Sequence, residues 1–172
     1  MTYELGFFLV RLLVGLAIAA HGAQKLFGWF GGYGIKGTGG FFETLGFRPG
    51  TLFATASGLS EFAGGLLIVL GLLGPVGPAL VIATMVVAIF SVHLKNGFFA
   101  SSNGYELNIM YITASIAVAF APLGALSLDS ALGLGVLHQA SIVWIALALG
   151  ALGGIANLAL RKTAPQDATA TA

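Results

Sequence analysis

Seven side chains in this sequence have the types and the placement to do chemistry: Arg11, His21, Lys25, Glu61, His93, Asn103 and Glu106. Arg11, His21 and Lys25 sit within one otherwise apolar run, Leu5 to Phe27. On a helix turning 100° per residue they fall within roughly 80° of one another, so they form one polar stripe. A basic side chain at a bilayer centre costs about 2.5–3.5 kcal/mol on insertion scales and more in simulations, so such a group needs a partner or a cavity. The acid placed well inside another apolar run is Glu61. Counting about 1.5 Å per residue from the end that carries Lys25, Glu61 lies about 15 Å deep, Arg11 about 21 Å and His21 about 6 Å. Antiparallel packing of the first two runs therefore predicts a buried Arg11–Glu61 ion pair, the side chains bridging the offset. Gly58, Gly64 and Gly65 allow the close approach, and Ser57 is placed to hydrogen-bond Glu61. The pair reads either as a lock aligning the helices or as a proton- or substrate-handling group.

His21, Lys25, His93, Asn103 and Glu106 all fall near the same mouth of the bundle and predict a small polar site there. Plainer roles stand beside that reading. His21 and Lys25 can snorkel to the interface. Glu106 can compensate a helix N-terminus. Asp129 reads as a loop cap rather than a catalyst. No metal site is expected, because His21, His93 and His138 are far apart and lack ligand spacing. Axial haem ligation by His21 and His93 is open geometrically, but the sequence indicates no wide apolar pocket for it. With no cysteine, the chain has no thiol nucleophile, disulfide or cysteine-ligated cluster of its own. No serine sits in a nucleophile elbow.

The elements that must position these groups are membrane helices. Of 172 residues, 58% are hydrophobic and 8% charged, against about 25% charged in soluble domains. The net charge of +1 offers no field for nucleic acid. The apolar runs are continuous rather than alternating, which argues for helices over a barrel. Five spans are predicted: Leu5 to Phe27, Thr51 to Leu73, Val76 to Val92, Glu106 to Ala121 and Ser141 to Leu160. The run from Leu12 to Ala20 resembles a signal-peptide core, but the segment before it holds Glu4 and no basic residue, so an uncleaved first span is expected.

Gly28 to Gly50 joins the first two spans. Its glycines match neither a Walker A loop nor a dinucleotide fingerprint. Trp29, Phe30, Tyr33, Phe41, Phe42 and Phe47 suit the headgroup level, and Thr38 to Phe47 predicts a short interfacial helix. Gly71 should stop the second span, and Pro75 and Pro78 should start the third. Asn103-Gly104 predicts a turn. Residues 123–139 read as a loop with a surface helix, and the tail from Arg161 as disordered. One side of the bundle receives Lys25, Lys36, Arg48, Lys95, Arg161 and Lys162. The positive-inside rule then puts the C-terminus in the cytoplasm and the N-terminus outside.

The chain resembles the DoxX family. The matching residues are Arg11 with Gly15, His21-Gly22-x-x-Lys25-Leu26, the glycines of 28–34 with Thr38, and Glu61-x-x-Gly64-Gly65 continuing to Leu70-Gly71-Leu72. Met85, Ala88, Asn103-Gly104-x-Glu106 and Ser127-Leu128-Asp129 follow in the family's order. The resemblance covers roughly residues 5–132 and implies an all-α integral membrane bundle with a four-helix core. The run Ser141 to Leu160 is then an added, fifth transmembrane helix. The division is 1–132 DoxX-like, 133–160 additional helix and 161–172 tail. The likeness further implies membrane redox chemistry in the bacterial inner membrane: an oxidoreductase subunit, or a protein of quinone, catechol or oxidative-stress resistance, sometimes complexed with a soluble redox enzyme. The leading expectation is a quinone-binding subunit in which His21, Lys25 and Glu106 engage quinone oxygens. The alternatives are a non-enzymatic scaffold docking a soluble partner, and a small-molecule transporter that would require dimerisation. The expected partners are thus the lipid bilayer, a soluble redox enzyme and a second copy of the chain, with no nucleic acid.

Overall fold

A computed structural model describes residues 2–122 and 124–162. All regular structure among them is helical. The long elements are α1 (Thr2–Phe27), α3 (Gly50–Leu70), α4 (Val76–Ala88), α5 (Glu106–Phe120) and α7 (Ala140–Ala159), with short helices α2 (Gly34–Thr44) and α6 (Leu128–Ala131) between them. Four helical stretches are long and apolar enough to cross a membrane: Tyr3–Phe27, Gly50–Leu70, Val76–Asn96 and Ala140–Ala159. Glu106–Phe120 is a shorter apolar helix. The protein is a multi-pass membrane bundle, and its exposed side chains are accordingly apolar along every long helix.

The punctuation follows residue chemistry. Gly71 takes the left-handed conformation (φ 60°) that closes α3, and Pro75 precedes the first turn of α4. The third span runs four residues beyond its expected end, because α4 continues through a π turn at Ile89–His93 and a 3-10 turn at Leu94–Asn96. Asn103, at φ 60°, makes the predicted turn. Helix α2 begins four residues earlier than expected. Its small residues Thr38 and Gly39 face inward, and a Cβ on Gly39 would stand 2.9 Å from the Thr51 amide nitrogen. Phe47 departs from the expected headgroup position. It is fully buried between Phe42 and Phe53, with ring centroids at 5.6 and 5.1 Å.

The most extensive interface joins α1 to α3. Glycines on both helices make it. A Cβ on Gly15 would stand 2.6 Å from the Gly65 carbonyl oxygen, and one on Gly22 would stand 2.7 Å from that of Gly58. The antiparallel register is thereby set. Ile18, Ile68, Val81 and Met85 fill the core between α1, α3 and α4. A second cluster, Ile82, Ala119, Val143 and Leu147, joins α4, α5 and α7. Helix α7 returns to the first loop, where Arg161 Nε donates to the Leu45 carbonyl at 2.9 Å and the Lys162 amide to that of Gly46 at 2.8 Å. These two residues of the expected tail are therefore held; the remainder lies outside the described residues.

Candidate functional site

The mouth of the bundle holds a cavity of about 270 Å³ between α1, α3, α4 and α5. His21, Lys25, Glu61, His93 and Asn103 line it, so five of the seven predicted polar residues converge there. A neighbouring cavity of about 330 Å³ shares Lys25, His93 and Asn103 and extends toward the aromatic side chains of α2. Lys25 also lines a third, more open space under the glycine-rich loop.

Glu61 is the buried centre of the site. Lys25 Nζ donates to its Oε1 and, at 3.1 Å, to Ser57 Oγ. The other carboxylate oxygen, Oε2, is buried without a protein hydrogen-bond partner. The expected Arg11–Glu61 pair is therefore replaced by Lys25–Glu61, and Ser57 serves the lysine rather than the carboxylate. The glycine register explains this. It sets Gly22 against Gly58 and Phe62, which brings Glu61 level with the His21 end of α1. Arg11 lies ten residues back along α1, about 15 Å away by helical rise, beyond the reach of the two side chains.

Two imidazoles line the same cavity as the carboxylate, each held by a second residue. His21 Nδ1 lies 3.2 Å from Gln24 Oε1, while Gln24 Nε2 donates to the Phe30 carbonyl at 3.1 Å. The carbonyl can be satisfied only by the amide NH2, so Gln24 presents its oxygen to His21, and Nδ1 carries the proton. His93 ends the π turn of α4, a geometry often found at functional sites. Its Nδ1 lies 2.8 Å from the Asn103 carbonyl and is likewise the protonated nitrogen.

Residues that sequence reasoning left out complete the wall. Tyr111 lines the cavity and meets the His21 ring edge-on, with centroids 6.1 Å apart. Buried Asn108 donates to Met85 Sδ at 3.4 Å. The signal for both was available: Asn108, Tyr111 and Ser115 recur at helical spacing in an apolar segment and so share a face. Glu106 does not line the cavity. Its carboxylate accepts from the Ala100 amide at 2.8 Å and ties down the α4–α5 loop.

Arg11 belongs to a separate polar cluster at the opposite end. Its Nε donates to the Ile68 carbonyl at 3.1 Å, and Nη2 to Val69 and Leu126 at 3.1 and 2.8 Å. Arg11 thus satisfies carbonyls at the end of α3 and pins the loop that follows α5. Nearby, fully buried Asp129 accepts from the amides of Leu73 and Gly74 at 2.8 and 2.7 Å and pairs with His138 Nε2 at 2.9 Å. Ser127 caps α6 through Ser130 N, as its place before Asp129 suggests. Asp129 acts as a cap, but for the α3–α4 turn as well as its own loop. Among the described residues no group of three or more His, Cys, Asp or Glu could hold a metal ion.

The DoxX family model matches residues 6–94, which carry Lys25, Glu61, Met85 and His93. A protein of Bacillus subtilis (strain 168) named "Putative oxidoreductase CatD" is 28% identical over 128 residues, 74% of this chain and 87% of that relative. No solved structure matches the chain. With more than half of its length matched by the family model, the chain belongs to the DoxX family.

Proposed function

We propose that this protein is a redox-associated membrane subunit whose mouth cavity binds a small quinone-type ring compound. The observation that carries this reading is the buried Glu61 carboxylate, one oxygen held by Lys25 and the other without a protein partner, in a cavity walled by His21, His93 and Tyr111. A cavity of about 270 Å³ suits a single substituted ring, since drug-sized ligands occupy about 300–1,000 Å³. Met85, Ala88 and Leu107 supply apolar wall beside the polar Asn103 and Asn108. Interconverting a quinone and its quinol moves two electrons and two protons. His21, Tyr111 and the Lys25–Glu61 pair are the proton-exchanging groups, and the electrons are assigned to a soluble redox enzyme. The name of the Bacillus relative favours a redox role.

We place the mouth on the cytoplasmic side of a bacterial inner membrane. Arg161 and Lys162 pack against the first loop, so they share an end with Lys25, Lys36 and Arg48, and basic residues favour the cytoplasmic face. That end is where a soluble electron donor would dock. The exposed Trp29, Phe30 and Tyr33 of the loop favour a second reading, a docking scaffold without turnover.

The test uses the purified protein in mild detergent, titrated with a short-chain quinone. Saturable binding that is weakened by Glu61→Gln and His21→Ala supports the ligand site. Absence of binding, together with normal quinone tolerance in a His21→Ala strain, overturns it. Function that survives His21→Ala but is lost when Trp29 and Phe30 are replaced assigns the scaffold instead.

A further inference from the structure

We infer that the mouth cavity is polarised to accept hydrogen bonds and selects the reduced, hydroxyl-bearing form of its ring ligand over the oxidised, carbonyl form. The inference rests on the proposed ligand site and adds the redox state that the site prefers.

Beside the two-way amides of Asn103 and Asn108, three acceptors on the carboxylate and the imidazoles are left without protein partners. The first is Glu61 Oε2. An ionised carboxylate only accepts hydrogen bonds, and a buried acceptor left unmade carries a desolvation penalty. The second is His21 Nε2. Because Phe30 orients Gln24 and the Gln24 Oε1 accepts a hydrogen bond from Nδ1–H, the neutral ring presents a lone pair at Nε2. The third is His93 Nε2, by the same argument from the Asn103 carbonyl, which Asn96 Nδ2 also bonds at 3.1 Å. Both rings line the cavity with Glu61.

The donors nearest the buried carboxylate are partly committed elsewhere. Lys25 directs two of its three hydrogens to Glu61 and Ser57, and the Asn108 amide directs one of its two to Met85. The Asn103 side-chain amide, at the exposed rim, brings a donor and an acceptor together and favours neither form. The Tyr111 hydroxyl can turn either way. A quinone carbonyl offers only lone pairs and would set acceptor against acceptor at Glu61. A quinol, or any ring diol of that size, supplies the missing O–H donors. Sites that bond a ligand hydroxyl discriminate strongly against ligands lacking it, because their own polar groups are then left unpaired. With Tyr111 able to serve either form, a preference of about tenfold is expected. Such a preference raises the potential of the bound two-electron couple by about 30 mV.

The experiment measures anaerobic binding of duroquinol and duroquinone to the full chain in lipid nanodiscs. Duroquinol should bind about tenfold more tightly. Glu61→Gln, whose amide can turn either a donor or an acceptor to the ligand, should bring the two affinities within about twofold. Gln24→Ala, at a half-buried position away from the core, releases the His21 tautomer and should lower the ratio in part. Equal binding of the two forms, tighter binding of duroquinone, or a ratio unchanged in both variants overturns the inference and leaves the ligand site standing. Failure of both forms to bind overturns the ligand site and the inference together.

Discussion

Lys25, rather than Arg11, neutralises the buried acid, and the two cations have different work. The lysine ammonium is a compact charge on a long stem, suited to reaching Glu61 and Ser57 from the rim. The arginine fork matches three carbonyls that a helix end and a loop leave open. Lys25→Met should therefore strand a buried carboxylate and cost about 3–5 kcal/mol, read as a lower unfolding temperature in detergent. The double variant Lys25→Met with Glu61→Gln should recover most of that loss, because no unpaired charge remains. At the far end, Asp129→Asn turns an amide donor toward the Leu73 and Gly74 amides or the His138 ring. A loss of about 1–3 kcal/mol is expected, with the mouth cavity's ligand affinity unchanged. The identities of the polar residues were legible because charges are scarce in an apolar chain. Their pairing was not, since several combinations satisfy the same composition.

Between α1 and α3, small residues decide which charges meet. A Cβ on Gly65 would stand 2.6 Å from the Ala19 amide nitrogen, so Gly65→Ala must push the helices apart. A loss of about 1–3 kcal/mol is expected from such overpacking, together with a weakened Lys25–Glu61 contact and weaker ligand binding. Gly153, also helical, has nothing within 4 Å of its would-be Cβ. Gly153→Ala is the matched control and should leave unfolding temperature and binding unchanged or slightly raised. The glycines that permit close packing could be named from sequence. The offset between Gly15, Gly22 and their partners could not, because a helix face carrying several glycines allows more than one register. The π turn at Ile89–His93 was equally hidden: no proline or glycine marks it.

Over the whole bundle, polar groups segregate into two end clusters separated by the apolar plug of Ile18, Ile68, Val81 and Met85. The Lys25 end also gathers the loop lysines and arginines, whereas Asp129, His138 and Arg11 gather at the other. Reporter fusions should accordingly place a C-terminal tag in the cytoplasm and an N-terminal tag outside. The reverse result would move the proposed electron donor to the other compartment. Helix α7 is packed against α4 along Gly150 and Gly154, whose would-be Cβ atoms run into the carbonyl oxygens of Ala79 and, at 2.7 Å, Ala83. Substituting bulky residues at both should loosen this wall and lower the unfolding temperature.

Composition and hydropathy alone determined that this is an all-α membrane protein, where its helices begin and end to within a few residues, and which side chains must be hidden from lipid. Those properties follow from the cost of exposing backbone and charge to hydrocarbon, which acts on each segment separately. Tertiary structure decided the rest: that Glu61 meets Lys25, that Arg11 and Asp129 form the opposite end, that Glu106 accepts from the Ala100 amide, and that Phe47 is core rather than interface. These depend on register and on backbone approach between segments distant in sequence, which no local preference encodes.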